Sequence, residues 1–187
     1  MQRFSIIGAA HVQNAALFEA LEKALDEAAP DQLILEMPDD AVTMGDVAHQ
    51  KPEMLVAYRW AARRGVPVRG HEPSGPSILR DGLTAERIGA LVQEMDTLVS
   101  NLTVRRTIDI FCDRGEPETP AEQRLEAVIK DLIDPEKALA RTQAMIAAIR
   151  HVAIPEGAVL IVCGGVHAPH IAAALPGCRI IHGEHFF

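Results

Sequence analysis

The chain has 187 residues, 48% of them hydrophobic but only 4% aromatic, which is enough for one domain with a substantial aliphatic core. Its formal charge of -8 and the lack of a concentrated Lys/Arg surface argue against nucleic acid as a partner. Three cysteines, odd in number and without CxxC spacing, suggest neither a disulfide framework nor a thiolate zinc site, and reduced thiols fit best.

The first strand covers residues 3–10 and ends in Gly8-Ala9-Ala10-His11, and an amphipathic helix over 12–28 carries Leu17, Leu21, Ala24 and Leu25 at helical spacing. Pro30 stops that helix. A second strand over 32–37 closes on Glu36, and a mixed acidic loop follows from Asp39 to Gln50. The next helix, 52–64, stops at Gly65. A third strand runs from Val66 into His71-Glu72, and the turn Pro73-Ser74-Gly75-Pro76 ends it.

Strands then give way to helices. Thr84 can cap a helix to about Ser100, a further apolar-periodic stretch reaches Cys112, and Arg114-Gly115-Glu116-Pro117 breaks it. Thr119-Pro120-Ala121-Glu122 is a capping-box signature, Asp134-Pro135 repeats the cap-then-proline arrangement, and helices over 119–133 and 135–151 follow. A fourth strand, 158–163, enters Gly164-Gly165-Val166-His167 and a short helix. Residues 178–182 read as a last strand.

This order predicts a single α/β domain over 1–187: a mainly parallel sheet with flanking helices, and a helical insertion at about 84–151 acting as a lid. Right-handed crossovers bring successive strand carboxyl ends to one edge, where such sheets hold ligands. The chain has no run of about 18 apolar residues and no signal-peptide hydrophobic region before the first strand, so it reads as a cytoplasmic protein without a membrane segment.

The chemistry-bearing residues gather at the predicted strand ends. His11 and His167 each follow a glycine at a strand-to-helix turn, where the positive helix end disfavours imidazolium and keeps the ring ready as a metal ligand or general base. Glu36 at a strand end needs a metal, a histidine or an arginine as partner. Arg141 shares a helical stripe with Met145 and Ile149, and its guanidinium suits a substrate carboxylate or an oxyanion. His71 and Glu72 are adjacent, so strand alternation sends one of them to the site, and Glu72 is favoured. His170 reads as surface and Cys163 as a buried structural thiol, while His182 and His185 stand either at another strand end near the site or in a solvated tail, and the sequence leaves that choice open. No GxSxG, HExxH or phosphate-cradling glycine motif occurs.

Gly8-Ala9-Ala10-His11, the Leu35-Glu36 strand end, Arg141 with Met145, and Gly164-Gly165-Val166-His167 together resemble the TraB/Tiki/GumN family, within a wider group that includes erythromycin-esterase-like and ChaN-like proteins. The resemblance implies a site of two GxxH histidines, a glutamate and an arginine. Tiki proteins look like metal-dependent peptidases, the erythromycin esterases use histidine without an obligatory metal, and ChaN-like relatives bind haem. The chain is shorter than familiar members and lacks the membrane segments of some TraB relatives.

The resulting expectation is a hydrolase of amide or ester bonds acting on a peptide or small molecule, with His11, Glu36, His167 and Arg141 catalytic and with Glu72 and Arg141 holding substrate. In one version a divalent metal ion sits on His11, Glu36 and His167; in the other a histidine oriented by Glu36 activates water directly. The alternative is a non-catalytic haem- or peptide-binding regulatory protein. The sequence leaves the substrate, the metal and the choice between a monomer and a homo-oligomer open.

Overall fold

The computed structural model describes residues 1–9, 15–73, 77–111 and 115–181. His11, Ser74, Cys112, Arg114, His182 and His185 therefore lie outside the described residues. The chain divides into two compact units, Met1–Ser74 with Thr142–Phe187, and Gly75–Arg141.

The first unit is α/β. It contains β1 (Gln2–Ala9), α1 (Ala15–Ala28), β2 (Gln32–Leu35), α2 (Asp39–Met44), α3 (Pro52–Arg64) and β3 (Val68–Gly70). After the second unit the chain returns through β4, β5 and the intervening helix. The five strands form one sheet in the order β3-β2-β4-β1-β5, and every described pairing is parallel.

The two-residue strand period sorts the core into two layers. Ile7, Ala9, Leu33, Leu35, Leu160 and Val162 pack on one face with Leu17, Leu21 and Leu25 of α1 and Met54, Ala57 and Trp60 of α3. Phe4, Ile6, Ile34, Val159, Ile161 and Cys163 pack on the other with Met145, Ile149, Ala168 and Ile171. Strands covered on both faces explain why these segments are almost uninterruptedly apolar in sequence.

The chain order fixes the useful edge. β1 and β2 send their following helices, α1 and α3, to one face, whereas β4 (Gly157–Gly164), lying between them, sends its helix, Ala168–Ala174, to the other. Diverging connections make the carboxyl end of β4 the topological switch point of an open parallel sheet, the place where such sheets hold ligands. Both GxxH segments begin beside it, because Ala9 and Gly164 are register partners.

The expected loop after β2 contains the short helix α2. Pro38 stands at its N-cap, Asp39 and Asp40 occupy its first turn, and Gly45 ends it in the left-handed region at φ 73°. A helix of one and a half turns is too short to display an apolar period, so its end signals resemble those of a polar loop.

The second unit is helical, with α4 (Ala85–Val99), α5 (Val104–Phe111), α6 (Pro120–Leu132) and the beginning of α7 (Pro135–Val152). Leu91, Val128 and Leu132 form its own buried cluster. The Thr119/Glu122 capping box is present, and Arg106 binds the Glu122 carboxylate through two nitrogens, holding its pKa down to about 2. Among the described residues no helix is long and apolar enough to cross a membrane. The last helix, α8 (Ala168–Ala174), and the edge strand β5 (Arg179–Ile180) belong to the α/β unit.

Candidate functional site

At the end of β2 the backbone stops extending. Glu36 N–H still donates to Val162 O at 3.0 Å, but Met37 N–H turns back onto Leu35 O at 2.8 Å. In an unbroken parallel ladder the next rung would run from Gly164 N–H to the Glu36 carbonyl. That N–H instead donates to the Glu36 side chain, at Oε2, at 2.5 Å. The carboxylate is thereby held over the end of β4, and the residue is 2% exposed.

The other carboxylate oxygen, Oε1, accepts from Lys51 Nζ at 2.5 Å, and Glu72 Oε1 lies 3.9 Å from the same ammonium. Lys51 is the N-cap of α3, with Pro52 at the first helical position. A cation at a helix start opposes the helix dipole, and lysine has no oxygen with which to cap the first amides. Two carboxylates offset that penalty here.

His71 and Glu72 both approach this cluster, against the expectation that only one would. β3 ends at Gly70, and the next two amides both donate to the β2 side, His71 N–H to Leu35 O and Glu72 N–H to Met37 O, each at 3.0 Å. Consecutive amides on one side break the two-residue alternation, so the opposite-faces rule does not apply to this pair. Gly70 permits the bend. A Cβ there would collide with the Met37 carbonyl and stand 2.6 Å from Asp39 N, while Asp39 receives both Arg69 and the Gly70 amide.

His71 is 1% exposed, and neither ring nitrogen has a hydrogen-bond partner. Burial lowers its pKa to about 4; the Glu36 carboxylate pulls it upward, and His167 and Lys51 push it down. The ring is neutral at pH 7. A buried imidazole with an unused donor and an unused acceptor is an uncommon arrangement outside functional sites.

His167 occupies the N-cap of α8, as its motif predicts, without capping it through the side chain. Its Nδ1 instead lies 3.1 Å from Thr142 Oγ1. Thr142, Met145 and Ile149 form the buried stripe of α7, so the threonine reaches the ring from the helix packed beside β4. Arg141, the residue before it, closes the helical unit. Cys163 is fully buried; burial, and next the Glu36 carboxylate, push its thiol well above the ordinary range, consistent with a structural role. His170 is exposed.

The structure thus gathers Glu36, His71, Glu72 and the unforeseen Lys51, and sets the equally unforeseen Thr142 against His167. Lys51 had a signal in sequence, since a lysine directly before a helix-starting proline is a poor N-cap. Among the described residues no three His, Cys, Asp or Glu side chains are grouped so as to hold a metal ion. Of the metal ligands expected from sequence, Glu36 already holds an ammonium on one oxygen and a backbone amide on the other. No protein-family model, curated protein or solved structure matches the chain.

Proposed function

We propose that this protein hydrolyses an amide or ester bond at the carboxyl edge of β2, β3 and β4, using its own side chains rather than a resident metal ion. The observation that supports this reading is the accumulation there of a buried carboxylate, an ammonium and a neutral, hydrogen-bond-starved imidazole, at the switch point of a parallel sheet. Such groups are costly to bury, and a fold keeps them where a ligand will use them.

His167 is the proton acceptor in this scheme. With Nδ1–H donating to Thr142 Oγ1, the lone pair on Nε2 takes a proton from water as the water oxygen attacks the substrate carbonyl carbon. The same proton then passes to the departing amine or alcohol as the carbon–heteroatom bond breaks. Lys51, fixed by Glu36 and Glu72, supplies positive potential where negative charge develops on the carbonyl oxygen. His71 offers one donor and one acceptor to the substrate. Glu72 holds substrate, and His11 keeps the role that the TraB-type resemblance gives it.

The test is turnover of a panel of p-nitrophenyl esters and fluorogenic peptides by the purified protein, with and without chelator. Hydrolysis is expected to survive chelator and to disappear in His167→Ala and Glu36→Gln. Wild-type rates in both variants would overturn the assignment. A Soret band in the purified protein would favour the haem-binding alternative instead.

A further inference from the structure

We propose that Lys51 is the resident cation of this site and that its ammonium keeps divalent metal ions off Glu36. The inference rests on reading this edge as the functional site, and it concerns which cation the site is built around. The two groups that hold Lys51 Nζ are oxygens of the kind a hard divalent ion uses: Glu36 Oε1 at 2.5 Å and Glu72 Oε1 at 3.9 Å.

A metal on the Glu36 oxygen that Lys51 holds would have to displace the ammonium or accept like-charge repulsion at close range. Displacement is opposed by the position of the side chain. Lys51 is 28% exposed along its side chain, so its head is drawn inward instead of extending into water as most lysines do. Its backbone is also fixed as the N-cap of α3, directly before Pro52. The Glu36 oxygen opposite is tied to the Gly164 amide, so the carboxylate cannot swing to present a fresh face without breaking that bond. A lysine placed against the helix dipole makes sense if its charge is needed at this point.

The test uses the whole protein, stripped with chelator, dialysed and titrated with Zn²⁺ alone and then Mn²⁺ alone by calorimetry. The wild type is expected to show no stoichiometric binding that depends on Glu36. Lys51→Ala is expected to bind one ion at least tenfold more tightly than the wild type, and the Lys51→Ala/Glu36→Gln double variant to lose that site. Lys51→Leu keeps the apolar stem and serves if the alanine variant does not fold. One equivalent of metal bound by the wild type and abolished by Glu36→Gln would overturn the inference, as would folded Lys51 variants that bind no more tightly than the wild type. Neither readout depends on turnover, so a metal-binding wild type that still hydrolyses esters would defeat this inference while leaving the hydrolase reading intact.

Discussion

A histidine buried without hydrogen-bond partners has a cost that pH can reveal. His71 titrates at about 4 in the folded protein and near 6.5 in an unfolded chain, so below 6.5 the unfolded state binds the proton more readily. Stability is therefore unaffected by this residue above pH 6.5 and falls as pH drops from 6.5 to 4, by about 3 kcal/mol in all. Urea unfolding of the wild type and His71→Leu across that range is expected to show a steeper acid loss in the wild type. Parallel curves would mean that the folded ring takes up its proton as readily as the unfolded one does. At pH 7 the variant is expected to be no less stable, because it removes an unsatisfied polar group, yet to lose substrate affinity. Thr142→Val makes a complementary test at His167: it keeps the side-chain shape, removes the hydroxyl 3.1 Å from Nδ1, and is expected to lower kcat about fivefold, the worth of about 1 kcal/mol of orientation. An unchanged kcat would remove Thr142 from the mechanism.

Between β2 and β3 the chain makes a close crossing that positions three of the site's residues. Gly70 touches the Met37–Asp39 segment with no room for a methyl group, and the obstructing atoms are backbone, which cannot rotate away. Gly70→Ala is expected to cost about 1–3 kcal/mol and to impair turnover as well, since Glu36 and His71 flank the displaced segment. Denaturant midpoints and initial rates check both parts, and a stable, fully active variant would show that the crossing is slack. This crossing also marks where sequence reasoning stopped. The inner strands β1, β2 and β4 were legible because both of their faces are covered, which leaves apolar runs, and α6 was legible because Thr119 and Glu122 cap it locally. Glu36 and His167 were legible as polar residues ending such runs. The bond from Gly164 to the Glu36 side chain joins residues 128 positions apart, and Lys51 reaches Glu36 across α2, so neither partner could be found from spacing. His71 was assigned by an alternation that holds only while the ladder is regular.

Among the described residues each unit has buried apolar clusters of its own, and this has consequences for how the molecule opens. Leu160 is 1% exposed between the layers of the sheet unit, whereas Leu91, fully buried, packs with Val128 and Leu132 in the helical unit. Truncating either leucine to alanine removes similar aliphatic volume and is expected to cost about 2–5 kcal/mol. The distribution of that loss is the informative quantity, because cooperative openings follow contiguous packed units and each interior is built within one unit. Leu91→Ala is expected to speed hydrogen exchange in α4 and α6 while the amides shared by β1 and β4 keep their protection, and Leu160→Ala to do the reverse. Exchange that accelerates everywhere in both variants would mean that the two interiors melt as one. The outcome also bears on the chemistry, because Glu36, Lys51, His71, Thr142 and His167 all belong to the sheet unit. If the units open independently, Leu91→Ala should therefore leave the acid-linked loss of stability at His71 unchanged.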